Sequence, residues 1–144
     1  MVFLVPVTTK TSVPETTPEL YRIIDANLNR LKEGIRVIED IARYLDNNKD
    51  LSQKLKKLRH MARIEEQNPL LHSRDSINDV LRPTMREEMR RHSLEDIILA
   101  NYKRAQESSR VLEEMYKIIS PELSETFKTI RYTLYSLEKE NLLP

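Results

Sequence analysis

Residues 26–40 read ANLNRLKEGIRVIED, and residues 100–114 read ANYKRAQESSRVLEE. Seven of these fifteen pairs are identical without a gap: Ala26/Ala100, Asn27/Asn101, Arg30/Arg104, Glu33/Glu107, Arg36/Arg110, Val37/Val111 and Glu39/Glu113. After a two-residue slip the echo continues, with LSQKLKKLR at 51–59 over LSETFKTIR at 123–131, including Arg59/Arg131. The repeated unit is a helix, a short turn and a second helix. An internal repeat decides the architecture before any local detail does. Neither hairpin can bury its apolar face alone, but each can bury it against the other. The pattern predicts an all-α fold, a pseudo-twofold four-helix bundle built from two repeated helical hairpins with a long crossover.

Composition agrees. The 144 residues suffice for one domain with one core. A third of them are charged, and there is a single Gly, which leaves little room for Gly-rich phosphate loops. The formal net charge of +1 supplies no basic field to recruit nucleic acid. The absence of Cys excludes disulfides and thiolate chemistry, and suits a cytoplasmic or a thermophilic chain. No apolar run approaches the roughly 20 residues of a membrane span. The opening MVFLVPV is short for a signal sequence and lacks a basic n-region.

Residues 1–17 are rich in Val, Thr and Pro, which reads as an extended N-terminal arm before a single helical domain at 18–144. Val2, Phe3 and Leu4 would be exposed on a free arm, so self-association into a homodimer is an option the sequence leaves open. Thr17-Pro18 starts a helix, with a hydroxyl N-cap followed by Pro at the first helical position. This helix is expected to reach about Leu45, within repeat A (20–67). Asp46-Asn47-Asn48 forms the turn, and Asp50 is expected to cap a second helix running to about Gln67. Residues 68–92 form a crossover without clear period, except across 85–91. Ser93 and Asp96 have capping-box spacing. Repeat B (93–140) then carries a helix to about Ile119 and, from Ser120-Pro121, another to about Glu140. A long irregular segment inside a compact helical domain is usually functional.

On a wheel of 100° per residue, Ile24, Leu31, Ile38, Ile41 and Leu45 make one apolar stripe with Asn27 in its middle and Gly34 upon it. Ile98, Ala105, Leu112 and Met115 do the same around Asn101 and Ser108. The small pair Gly34/Ser108 lets the two helices cross closely. An amide in an apolar stripe needs matched partners. Asn27 and Asn101 therefore either bond to each other across the pseudo-twofold or read a ligand. The ladders Arg30-Glu33-Arg36-Glu39 and Arg104-Glu107-Arg110-Glu113 alternate in sign every three residues. They read either as i,i+3 pairs on a solvated face or as grips on carboxylate or phosphate, for which Arg is the suited residue. Arg74, Asp75, Asp79 and Arg82 stand in the crossover; their spacing alone reads as an ordinary charged surface loop, and the other reading is that the carboxylates hold a hydrated Mg²⁺ and the guanidiniums a phosphate. The histidines, His60, His72 and His92, have no metal-ligand spacing. The tyrosines fall mostly at core spacing.

YRIIDANLNRLKEGIRVIEDIARYL, the SRD triplet with Asp79, EEMRRHSLEDIILANYKRAQESSRVLEEMYK and FKTIRYTLYSLE together resemble a helical domain often fused ahead of thiamine-phosphate synthase. The resemblance covers about residues 20–140. It implies an alternative hydroxymethylpyrimidine-phosphate kinase, unrelated to ribokinase-like enzymes, which phosphorylates the pyrimidine monophosphate to the diphosphate with ATP and Mg²⁺. It also implies thiamine-phosphate synthase as a partner. Under that reading, residue type assigns the catalytic roles to Arg30, Glu33, Asp75, Arg104 and Glu107. Substrate or phosphate contacts fall to Asn27, Arg36, Arg74, Asn101, Arg110 and Arg131, and the metal to Asp75 and Asp79. The other reading is a non-catalytic module that dimerises or docks onto the synthase through its Arg/Glu ladders.

Overall fold

The Thr17 hydroxyl accepts from the Leu20 N–H at 3.2 Å, and Pro18 follows it, so the first helix starts where its capping residues stand. The computed structural model describes residues 17–64, 68–84 and 91–144; the expected arm at 1–17 apart from Thr17, and the expected period at 85–91 apart from Arg91, lie outside them. Its helices are α1 (Pro18–Asp40), α2 (Lys49–Met61), α3 (Asn68–Ser73), α4 (Leu94–Ile119) and α5 (Pro121–Leu142). No strand occurs among the described residues. No helix among them is long and apolar enough to cross a membrane.

The crossover, expected to lack regular structure before residue 85, opens with the short helix α3, and two boundaries differ from expectation. Asn48, not Asp50, caps α2: its Oδ1 accepts from the Leu51 N–H at 3.1 Å, while Asp50 sits in the first turn and pairs with Lys54. The second helix ends at Met61, short of Gln67. Between α1 and α2 lies a π turn, Ile41–Leu45, whose hydrogen bond from Asp46 N–H reaches back to Ile41. The wider turn shifts the helical phase, and Leu45 leaves the apolar stripe, 57% exposed. The two-residue slip between the repeats falls on Asp46 and Asn47, after which Asn48 and Ser120 cap equivalent helices. Asn47 turns the chain at φ 49°, a left-handed conformation that Asn tolerates better than most residues.

α1 packs against α4, α2 and α3; α4 packs against α5; and α2 meets α5. Burial repeats with the sequence. Ile24, Leu28, Leu31, Ile35 and Ile38 are buried on α1, and their counterparts Ile98, Tyr102, Ala105, Ser109 and Leu112 are buried on α4. Leu51, Leu55 and Leu58 on α2 correspond to Leu123, Phe127 and Ile130 on α5, of which Leu123 is only partly buried. Gly34 lies on the crossing: a Cβ there would stand 3.2 Å from the Asn101 carbonyl oxygen and 3.5 Å from the Ala105 Cβ. The expected Asn–Asn bond does not form. Each amide donates instead to its own helix, Asn27 to the Ile23 carbonyl at 2.9 Å and Asn101 to the Ile97 carbonyl at 2.8 Å.

The ladders split by burial. Glu39 and Glu113 turn inward and grip the arginine of their own hairpin partner. Arg59 donates to both Glu39 oxygens at 2.7 and 3.2 Å, and Arg131 donates twice to Glu113 Oε1 at 3.2 and 2.9 Å. Arg36 and Arg110 stay exposed, and their i,i+4 pairs with Asp40 and Glu114 are worth little. Breaking a buried pair strands a charge. Glu113→Ala is therefore expected to cost about 3 kcal/mol in chemical denaturation, and Arg36→Ala no more than about 0.5 kcal/mol. Glu113→Leu combined with Arg131→Leu should cost less than Glu113→Ala alone.

Tyr102 is enclosed between α4 and α5. Its hydroxyl donates to the Leu137 carbonyl at 3.3 Å and accepts from Asn141 Nδ2 at 3.0 Å. Burial, which disfavours the phenolate, pushes its pKa up from 10.0 to about 12. The folded value exceeds the unfolded one, so this stabilisation is complete below pH 10 and is lost as pH rises to about 12. The loss should be about 2 kcal/mol. Tyr102→Phe should cost about 1 kcal/mol at neutral pH through its lost hydrogen bond, yet show a shallower fall in melting temperature across that alkaline window.

Candidate functional site

Asn27 and Arg30 lie one turn apart on α1, and Arg104, Glu107, Ser108 and Val111 follow one face of α4. These six residues line one cleft of about 440 Å³. Asn27 thus lies near Ser108 while Gly34 meets Asn101, so α1 and α4 run antiparallel and equivalent positions come together near the crossing. Arg30 and Arg104 both reach this cleft, both are exposed, and neither forms an ion pair or hydrogen bond with another described residue. Neither guanidinium is paired with Glu107, the carboxylate of the same cleft, so the two repel each other, and an anion between them relieves that repulsion.

The cleft continues at both ends. Towards the N-terminus of α1 it shares Asn27 and Arg30 with a hollow of about 550 Å³, where Arg22, Asp25, Arg74, Asp75 and Asp79 also stand. Towards α5 it shares Glu107 with a hollow of about 500 Å³ that holds Lys103, Gln106, Arg110, Arg131 and Tyr135. A separate hollow of about 300 Å³ beside the first hairpin turn, around Arg43, Lys49 and Lys56, contains none of the expected site residues.

The crossover is fastened to α1 by a fork. Arg74 Nε and Nη2 donate to the two oxygens of Asp25 at 2.8 and 2.7 Å, and Arg22 Nη2 donates to the Asp75 carbonyl at 3.3 Å. Asp25 is buried among core residues, so its charge is tolerated only because Arg74 meets it. The Asp75 carboxylate accepts from the Asn78 side chain at 2.8 and 3.1 Å and from its N–H at 3.1 Å. These bonds, with Arg22 nearby, hold its pKa below the ordinary Asp range. Asp75 is therefore an anion at neutral pH. Among the described residues Asp79 Oδ1 accepts from the Leu81 N–H, at 3.0 Å, and the side chain lines the hollow.

The structure gathers Asn27, Arg30, Arg104 and Glu107 in the central cleft, Arg74, Asp75 and Asp79 at one end, and Arg110 and Arg131 at the other. It does not bring Glu33, Arg36 or Asn101 onto any of these surfaces. Arg74 and Arg131 carry structural ion pairs, which leaves less of each fork for a ligand. Asp25 and Asn78 escaped the sequence reading. Asp25 had one signal, an acid next to Ile24 in the apolar stripe, but its partner lies 49 residues away, beyond local spacing.

No group of three or more His, Asp or Glu among the described residues could cage a metal. Asp75 and Asp79 are two ionisable carboxylates on one hollow. That donor set fits Mg²⁺, which keeps several waters and takes one or two carboxylates together with substrate phosphates.

Asp25→Ala should destabilise the chain by about 2 kcal/mol and raise amide exchange across residues 74–79, because it removes the fork that fastens the crossover to α1. Asp79→Ala should change stability by less than about 0.5 kcal/mol in the same denaturant titration.

Residues 22–140 match the ThiD2 family. The chain is 38% identical over 118 residues to a thiamine-phosphate synthase of Synechocystis sp., covering 81% of this chain and 34% of that protein. Another of Nostoc punctiforme is 38% identical over 120 residues, covering 83% and 34%. A third, of Thermosynechococcus vestitus, is 39% identical over 124 residues, also covering 83% and 34%. The chain thus spans about a third of the length of these curated relatives. No solved structure matches it. With the family match running through α1, the crossover, α4 and most of α5, the chain belongs to the ThiD2 family.

Proposed function

We propose that this domain is a phosphotransferase of thiamine biosynthesis that converts hydroxymethylpyrimidine phosphate to the diphosphate with ATP. The observation that carries the reading is the meeting of Arg30 and Arg104, equivalent residues of the two repeats, unpaired on one cleft. The repeated burial and the repeated Glu–Arg pairs support reading the fold as a pseudo-twofold four-helix bundle with this cleft at its axis.

The reaction joins two anions. An oxygen of the pyrimidine monophosphate attacks the γ-phosphorus of ATP, the bond from that phosphorus to the β–γ bridging oxygen breaks, and ADP leaves. A phosphate monoester has its second pKa near about 6, so the attacking oxygen is already ionised and needs no general base. The protein must overcome repulsion and align the reactants. Arg30 and Arg104 neutralise charge where the two phosphates meet, and Asn27 positions the acceptor beside them. Glu107, at the junction of two hollows, makes no bond to Arg104 and orients the substrate instead. Asp75 and Asp79 would hold Mg²⁺, which when bound supplies further neutralisation of the phosphate oxygens. Glu33 and Arg36 lie outside the cleft and take no part in this reading.

The names of the relatives support a place beside thiamine-phosphate synthase; fusion to its N-terminus, or a separate partnership, is part of the proposal, and a cytoplasmic setting suits these substrates. A docking role is the second reading. It is favoured by Ile77, Val80 and Leu81, which stand 78, 89 and 83% exposed on the crossover.

A coupled assay with purified chain, Mg-ATP, the pyrimidine monophosphate and a separate thiamine-phosphate synthase tests the proposal. Turnover is expected, with Arg30→Ala and Arg104→Ala each lowering kcat/KM by about 100-fold or more while circular dichroism stays unchanged. Absence of turnover, with no ligand-induced rise in melting temperature, would reject the kinase and favour the docking module.

A further inference from the structure

The two hairpins differ most in what they present around their buried arginine. In repeat A, His60 and Arg63 follow Arg59; in repeat B the equivalent positions are Tyr132 and Tyr135. Core spacing led to the expectation that most tyrosines are buried, yet Tyr132 and Tyr135 are 54 and 41% exposed. The Arg131 guanidinium, held by Glu113, lies 4.9 Å from the Tyr132 ring centre and 5.9 Å from that of Tyr135. The two rings meet edge to face with centres 5.9 Å apart and planes at 77°. Arg131 and Tyr132 thus brace Tyr135 at the wall of the hollow that adjoins the central cleft through Glu107.

The charges of this hollow are mostly neutralised. Arg131 is paired with Glu113, Lys103 with Glu138, and Arg110 loosely with Glu114 and Glu113. A bare phosphate gains little there, whereas a flat heteroaromatic ring gains a braced aromatic face. The unpaired cations, Arg104 and Arg30, lie in the adjoining cleft. The order along the surface is an aromatic platform, then Glu107, then two free guanidiniums. That order suits a molecule with an aromatic base at one end and a phosphate chain at the other.

We propose that the α4–α5 hollow is the base subsite for the nucleoside triphosphate, with the base stacked on Tyr135 and the phosphate chain running past Glu107 to Arg104 and Arg30. This rests on the phosphotransferase reading of the central cleft and adds to it the place of the phosphate donor. The acceptor then occupies the opposite end, beside Asp75 and Asp79. The broken repeat accounts for the choice of end, since repeat A has no aromatic pair at the equivalent place.

Isothermal titration calorimetry of the full chain with Mg-ATP and with Mg-tripolyphosphate tests the subsite. Tyr135→Ala should weaken ATP about tenfold and leave tripolyphosphate unchanged, while Tyr135→Phe should bind ATP as the parent does. Arg104→Ala should weaken both ligands. The subsite is wrong if ATP binds no tighter than tripolyphosphate, if ATP does not bind, or if Tyr135→Ala binds ATP unchanged. The outcome separates from that of the kinase assay. Turnover with an unaltered KM for ATP in Tyr135→Ala rejects the subsite alone. Tyr135-dependent ATP binding without turnover rejects the kinase alone.

Discussion

Gly34 carries no Cβ, and the carbonyl oxygen of Asn101 lies 3.2 Å from where one would stand. A helix backbone cannot retreat from such a contact as a flexible side chain can, so this one position sets how closely α1 and α4 cross. The close crossing has two consequences. It seals Leu31 and Ala105 from water on the inner side. On the outer side it holds Arg30 and Arg104 near each other, where separation would ordinarily be favoured. A larger residue at 34 would trade the second effect away before the first, because a bundle can repack a few tenths of an ångström and stay folded.

Burial sorts the charges of the repeat into two classes. Glu39 and Glu113 are inaccessible, and each is met by a guanidinium from the neighbouring helix of its hairpin. A buried carboxylate without that partner would neutralise or unfold the chain, so these pairs are structural obligations. They also specify which helix faces which, because neither arginine has another buried acid to meet. Arg30 and Arg104 carry no such obligation. On an exposed face an unpaired arginine costs little, and keeping two of them adjacent costs some Coulomb energy that no fold requirement explains.

The four long helices, their order and most caps were legible because each has a local signal: Thr17-Pro18, Ser93 and Ser120-Pro121 act within four residues of themselves; the six-residue α3, inside the segment read as an irregular crossover, was not. The α2 cap was misplaced at Asp50 because two capping residue types stood within three positions, and only the fold selected Asn48. Leu45 was misplaced because a π turn changes the period that the wheel assumes. Asn27 and Asn101 were legible as unusual, but not the solution they adopt: a carbonyl one turn back costs no partner and needs no symmetry. Of the site, the repeated arginines were visible because duplication marks them twice. The Arg74–Asp25 fork was not, because it joins residues 49 apart with no periodic relation.

Duplication alone would yield two equivalent ends, and the proposed transfer between unlike molecules needs unlike ends. The chain departs from its own repeat at the positions that create the difference. Asp25 is Leu99 in the second copy, so only the first copy can fasten the crossover and its carboxylates beside the cleft. Tyr135 is Arg63 in the first copy, so only the second copy has an aromatic wall. The residues on the central cleft, Arg30 and Arg104, remain alike. A symmetric centre with asymmetric ends is the arrangement expected when one charge problem is shared by both reactants, since the phosphate oxygens of donor and acceptor are chemically the same, while the groups that distinguish the reactants lie further out.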